Sequence, residues 1–189
     1  MVWRGLFRAL GWATGLTLVS AGSAASWNDL GALKMLHWAT GGPSWTTSWP
    51  VLDTKSDPCL DHWYGVLCNT RGEILALKLS HNNLRGFVPT NFARLTALEV
   101  LDLSSNYLTE ALPPALGNLV SLQTLRVDHN AFTGLVPETI AQLPHLLTLT
   151  LESNQFESPL ALALYNLQTR RDVYVSYDLV MAPTRFDPQ

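Results

Sequence analysis

The chain has 189 residues, a formal net charge of −3, and only 14% charged side chains, with no basic run among them. That balance argues against nucleic acid or an anionic membrane surface as a partner. No H-E-x-x-H, P-loop, G-x-S-x-G or kinase motif occurs, and the length suits one domain with a sizeable core.

Residues 1–25 read as a secretory leader. Arg4 and Arg8 give a positive start, Ala9 to Val19 form a mostly apolar stretch, and Ser20 to Ala25 supply small residues suited to cleavage. An uncleaved signal anchor is the alternative reading. No other stretch approaches the ~20 apolar residues a bilayer span needs.

Residues 26–73 form a cap. Asn28 or Asp29 is expected to N-cap a helix that carries Leu30, Leu33 and Leu36 on one face. Gly41-Gly42-Pro43 should end it. Trp45, Trp49, Trp63 and Tyr64 are large apolar groups suited to sealing the end of a stack; exposed aromatics that grip carbohydrate are the alternative. Cys59 and Cys68 are the only cysteines. In a secreted chain such a pair reads as a disulfide, and so short a loop contributes about 2–3 kcal/mol in chain-entropy terms.

From Ile74 the chain repeats every 24 residues. Ile74, Leu98, Leu122 and Leu146 open four units that span 74–169. The fourth and sixth positions are Leu77 and Leu79, Leu101 and Leu103, Leu125 and Val127, Leu149 and Leu151. The ninth is always Asn: Asn82, Asn106, Asn130, Asn154. This is the L-x-x-L-x-L-x-x-N-x-L pattern of a leucine-rich repeat. In L-x-x-L-x-L the fourth and sixth residues point to one face of a strand, and stacked units pair those strands about 4.8 Å apart. No unit can bury its apolar row alone, so stacking is obligatory. The Asn amide both donates and accepts, and so serves backbone groups stranded at a buried bend.

The second halves read Leu84-Arg85-Gly86-Phe87-Val88-Pro89, Leu108-Thr109-Glu110-Ala111-Leu112-Pro113 and Phe132-Thr133-Gly134-Leu135-Val136-Pro137. They resemble the L-x-G-x-I-P of the plant-specific leucine-rich repeat class, found in receptor-like proteins, receptor-kinase ectodomains and polygalacturonase inhibitors. Glu110 departs from the Gly of that pattern, and Phe156 to Ala161 depart further, as a closing unit would. Asp57-Pro58-Cys59 through Trp63-Tyr64-Gly65-Val66-Leu67-Cys68 resembles the cap of such proteins, with Trp63 two residues further from the first Cys than usual. The resemblance implies an α/β solenoid: a right-handed superhelix with a concave parallel β-sheet and an N-terminal helical disulfide cap.

Counting on in register, a fifth unit opens at Arg170 and puts Val173 and Val175 at the fourth and sixth positions. Asp172 to Ser176 then make a last strand, with Arg170 and Arg171 discouraging pairing to another sheet. Residues 170–189 are this degenerate strand and a tail.

The remaining strand residues project from the concave sheet. Position five gives Lys78, Asp102, Arg126, Thr150 and Tyr174. Position seven gives Ser80, Ser104, Asp128, Glu152 and Ser176, and position eight gives His81, Ser105, His129, Ser153 and Tyr177. The candidate ligand-binding residues are Asp102, Arg126, Asp128, His129 and Glu152, bordered by Tyr174 and Tyr177. The Lys78–Asp102–Arg126 row reads either as a solvated ladder worth about 0–1 kcal/mol per pair or as a recognition face. Asp128 and Glu152 are neighbouring like charges, a pattern that can raise one carboxyl pKa. His81 and His129 lie two strands apart, about 10 Å, too far to share a metal.

An open sheet excludes no water, which weakens electrostatic catalysis. The expectation is therefore a secreted, non-catalytic recognition module that uses no cofactor or metal. It binds an extracellular protein, peptide or glycan and has no membrane span once the leader is removed. The alternative is a cell-surface scaffold without a specific ligand. Neither the ligand nor the oligomeric state is encoded legibly.

Overall fold

A computed structural model describes residues 23–157, 167 and 172–178. Most of the expected leader, the close of the fourth unit and the Arg170–Arg171 pair therefore lie outside the described residues. Helix α1 spans Trp27–Ala39. Its N-cap is Ser26 rather than Asn28 or Asp29: the Ser26 Oγ accepts from the Asp29 N–H at 3.1 Å. A hydroxyl there satisfies one of the helix's orphan N–H groups. Asp29 sits instead in the first turn, where a carboxylate faces the positive end of the helix, and it is buried. Leu33 and Leu36 are fully buried, as the periodicity expects, and the helix stops where Gly41 takes φ +69°.

The cap core is aromatic. Trp45, Trp49 and Trp63 are buried, whereas Tyr64 is exposed and seals nothing. Each of these three indole N–H groups finds its own acceptor: Thr40 O at 2.9 Å, Tyr64 O at 2.8 Å and Ser56 Oγ at 2.8 Å. Cys59 and Cys68 are bonded, with Cα atoms 5.6 Å apart.

Strand β1 (Val66–Cys68) ends the cap. Each unit then contributes two strands: β2 (Ile74–Lys78) and β3 (Arg85–Gly86), β4 (Val100–Asp102) and β5 (Tyr107–Leu108), β6 (Thr124–Arg126) and β7 (Thr133–Gly134), β8 (Thr148–Thr150) and β9 (Gln155–Phe156). A short helix, α2 (Glu138–Ala141), lies in the third unit, and β10 (Tyr174–Ser176) follows the fourth. The main sheet runs β1-β2-β4-β6-β8-β10. β1 is antiparallel to β2, and every later pair is parallel. Leu77, Leu101, Leu125 and Leu149 stand in register across it, all fully buried. This is the leucine-rich repeat solenoid. Among the described residues no helix is long and apolar enough to cross a membrane.

A second ladder runs along the edge of the stack. β3 pairs with β5 and β7 with β9, and Ala131 N–H to Leu108 O bridges the gap between them. Its first rungs are Arg85 N–H to Thr40 O and Phe87 N–H to Ala39 O, so the ladder begins on the end of α1.

The Asn residues form the expected spine. Asn106 Nδ2 donates to Leu79, Leu103 and Ser104 carbonyls at 2.9–3.0 Å, and its Oδ1 accepts from the Asn82 and Leu84 N–H groups at 3.0 Å. Asn130 and Asn154 repeat the three donor bonds one and two units on, and each Oδ1 accepts from one N–H, of Leu108 and Phe132 respectively. Asn82 and Asn106 are buried, but Asn130 is only half-buried, less than its central place suggests. The residue before each Asn is left-handed: His81, Ser105, His129 and Ser153 all have φ between 53° and 56°. We read that turn as what aims the sixth and seventh carbonyls at the Asn amide.

The last strand departs from the count. Tyr174 pairs with Thr148, Val175 with Leu149 and Ser176 with Thr150. Val175, not Val173, is therefore the fourth position, and the fourth unit is two residues longer than its predecessors. A slip of two keeps every side chain on its face, so the apolar alternation alone does not distinguish the two registers.

Candidate functional site

The concave sheet brings the charged candidates together around β6. Arg126 meets two carboxylates, one in register on the neighbouring strand and one two residues on in its own unit: its guanidinium is 3.8 Å from Asp102 Oδ2 and 3.8 Å from Asp128 Oδ1. Asp102 is held in turn by the Ser104 N–H at 3.0 Å and the Ser104 hydroxyl at 2.6 Å. The Asp128 carboxylate meets the His129 Nδ1 at 3.1 Å and accepts a short hydrogen bond from the Thr150 hydroxyl.

These contacts divide the candidates by role. Asp128 is buried, while the Arg126 and His129 side chains are 46% and 58% exposed. Asp128 is thus withdrawn from the surface, and its carboxylate lies against the exposed Arg126 and His129 side chains. Burial acts to raise the Asp128 pKa and is the largest single influence on it. The Thr150 and His129 hydrogen bonds and the Arg126 charge outweigh it and hold the carboxyl below its ordinary range. The expected upward push from Glu152 does not prevail at Asp128. An ionised carboxylate has no proton to give, so His129 Nδ1 is the donor and Nε2 is the ring nitrogen left for a partner.

Glu152 lies partly buried on the next strand, with Oε2 buried and unpartnered among the described residues. Tyr174 is exposed but sits two positions earlier in its strand than counted, beside Thr148. Tyr177 moves to the sixth position and packs against the core, so it does not border the site. Asp178, unforeseen, accepts from the Ser153 N–H at 2.9 Å. Thr150 and Ser104, expected to face solvent, are buried partners of the two aspartates. The sequence places both on the right strands, but a Thr at position five looks the same whether it meets water or a carboxylate. Among the described residues no group of three or more His, Cys, Asp or Glu side chains converges to hold a metal.

Comparison with known proteins agrees with this architecture. A leucine-rich repeat family model matches residues 73–132. A probable leucine-rich repeat receptor-like protein kinase of Arabidopsis thaliana is 35% identical over 81 residues, 42% of this chain and 8% of that protein. Phytosulfokine receptor 1 of the same plant is 31% identical over 100 residues, 51% of this chain and 9% of that protein. The chain thus spans under a tenth of either relative. Among solved structures, the ectodomain of the receptor kinase SOBIR1 from Arabidopsis thaliana superposes with a TM-score of 0.61 at 20% identity, over 86% of this chain and 99% of that one. The PEPR1–AtPEP1 structure superposes with a TM-score of 0.62 at 21% identity, over 80% of this chain and 24% of that one. The chain resembles plant extracellular leucine-rich repeat receptor-like proteins in repeat class and cap, and it shares their fold.

Proposed function

We propose that this leucine-rich repeat chain is a secreted, non-catalytic recognition module whose concave sheet binds an extracellular peptide, protein or glycan. In this reading residues 1–25 are the leader, 26–73 the cap, 74–169 the repeats, and 170–189 the last strand and tail. The Arg126–Asp128–His129 cluster carries it. A buried carboxylate that is hydrogen-bonded to an exposed imidazole and lies 3.8 Å from an exposed guanidinium prepares both for a partner and lowers their ordering cost on binding. Arg engages a carboxylate bidentately, and the imidazole Nε2 offers a further hydrogen-bonding atom.

A bare scaffold has no use for this variety. Its sheet face would repeat, whereas here position five reads Lys78, Asp102, Arg126, Thr150 from unit to unit. Receptor-like relatives and the likeness to receptor ectodomains support recognition over scaffolding.

The test is titration of a ligand captured from extracellular extract against the Arg126→Ala/His129→Ala double variant. Affinity should fall by about 1 kcal/mol or more, roughly fivefold, with far-UV circular dichroism unchanged because both side chains are exposed. Unchanged affinity would move the recognition site off the concave face.

A further inference from the structure

A second site lies at the junction of the cap with the first two units, beside the Arg126 cluster, whose Asp128 carbonyl accepts from the Ser105 N–H at 2.9 Å. Thr46 of the cap, His81 and Asn83 of the first unit, and Ser105 and Tyr107 of the second line one open cavity of about 320 Å³. Four of these side chains have polar groups with no protein partner among the described residues: the Thr46 hydroxyl, the His81 imidazole, the Ser105 hydroxyl and the Tyr107 hydroxyl. The fifth is fixed. Asn83 Nδ2 donates to Ser44 O at 2.6 Å, and its Oδ1 accepts from the Arg85 Nε at 3.2 Å.

Tyr107 is the aromatic element. It stands at position ten, where the other units carry Asn83, Ala131 and Gln155, and it is 58% exposed. The Arg85 guanidinium lies over its ring, 4.6 Å from the centroid. Arg85 is thereby stacked on the ring and bonded to Asn83, and the ring is braced on one side. The backbone is braced as well. His81 and Ser105 share the left-handed turn common to the units, but in the first unit Asn83 is left-handed too, at φ 59°, unlike its counterparts. Docking of the cap, through Thr46 N–H to Asn82 O and Thr47 N–H to Asn82 Oδ1, accompanies that extra turn.

The lining holds no carboxylate, and the Arg85 guanidinium is spent on Tyr107 and Asn83. What remains is an aromatic ring beside hydroxyl and imidazole groups that both donate and accept. That set complements a neutral, hydroxyl-rich ring: the C–H face of a sugar packs on an aromatic surface while its hydroxyls exchange bonds with flanking polar groups. The cavity is at the small end of ligand sites, so it fits a sugar ring or two rather than a folded partner. We infer that this junction is a binding site for a neutral glycan, with Tyr107 as the stacking platform and Thr46, His81 and Ser105 as hydroxyl partners. It is independent of the concave-face reading.

The experiment titrates the whole chain by isothermal calorimetry with neutral tetrasaccharides built from glucose, xylose, galactose or N-acetylglucosamine, beside a tetragalacturonate. At least one neutral tetrasaccharide should bind. Tyr107→Ala should weaken it tenfold or more and His81→Ala several-fold, while Tyr107→Phe, which keeps the ring, stays within about threefold. Saturation-transfer signals should come from the sugar's C–H face. The Arg126→Ala/His129→Ala variant should bind the sugar as the parent does, which separates this site from the concave face. Absence of binding to every neutral tetrasaccharide, an unchanged affinity in Tyr107→Ala, or a preference for the galacturonate would overturn the proposal.

Discussion

Cap and repeats bury polar groups in opposite ways. In the repeats one device is used three times: a left-handed residue, then an Asn whose amide serves the carbonyls of its own turn and of the unit before it. In the cap nothing recurs. Trp45, Trp49 and Trp63 each reach a different acceptor, and a disulfide spans the loop between α1 and the sheet. Asn82 shows the seam between the two regimes. It holds the spine position, yet its amide exchanges bonds with the Thr47 backbone of the cap instead of with a preceding unit. A periodic region tolerates drift at any one copy, whereas the cap depends on each part.

The largest effect should come from Trp49→Ala, which removes a buried ring packed 4.8 Å from Trp45 and 5.5 Å from Trp63. A loss of about 3–5 kcal/mol is expected. All seven tryptophans lie at or before Trp63, so their fluorescence reports the cap, while the amide NMR signals of Leu101, Leu125 and Leu149 report the repeats. Coincident urea transitions by the two probes would show one cooperative unit; a fluorescence change that runs ahead would show the cap peeling away alone. Next, replacing Cys59 and Cys68 with Ser should cost about 2–3 kcal/mol by releasing a short loop in the unfolded chain. Equal thermal melts for the reduced and oxidised parent would contradict that.

Within the repeats, Asn106→Ala should cost about 1–3 kcal/mol by stranding buried carbonyls and N–H groups. Asn154→Ala should cost less, since Asn154 is only half-buried. Reversal of that order in denaturant melts would mean the spine is not graded by burial. Glu110 gives a smaller effect of the opposite sign. It holds φ +63° where Gly86 and Gly134 stand in the neighbouring units, so Glu110→Gly should gain up to about 1 kcal/mol. Gly86→Ala should lose more than Gly134→Ala. A Cβ on Gly86 would sit 2.2 Å from Ala39 O at the cap, but on Gly134 it would meet Ala111 at an ordinary 3.4 Å.

The gentlest probe is pH, and it also divides the two regions. Burial lowers the His37 pKa in the cap, so between that value and about 6.5 the unfolded chain binds more protons than the folded one. Stability should therefore fall as pH drops below about 6.5, and His37→Gln should flatten that limb in melting curves. Asp128 in the repeats is also lowered, but for a carboxyl the stabilisation is present above about 4 and is lost as pH falls through the folded value. Asp128→Asn should flatten only this more acidic limb.

Much of the fold is legible without coordinates. Strand positions, the Leu rows and the Asn spine all follow from a repeated pattern, because one unit's physics is tested four times over, and the disulfide follows from there being only two cysteines. The cap is read less well. Ser26 competes with Asn28 and Asp29 for the N-cap by local preference alone, and only the chain's path shows which hydroxyl meets an orphan N–H. At the site, the sequence brings Asp102, Arg126, Asp128 and His129 to adjacent strands but does not distinguish a contact residue from one that positions others.

The sequence by itself determined the period, the parallel one-strand-per-unit sheet and the residues that face away from the Leu core. Each depends on backbone geometry and on apolar side chains that must leave water, and both are local properties summed over copies. Tertiary structure alone decided where the last strand pairs, that Tyr177 turns to the core, and that Thr150 and Ser104 bury themselves on aspartates. It also decided that Thr46, His81, Ser105 and Tyr107, up to 61 positions apart in the chain, line one cavity. A two-residue slip leaves the inside–outside pattern intact, and a polar side chain's partner depends on what the neighbouring unit presents, so neither is written in any one stretch.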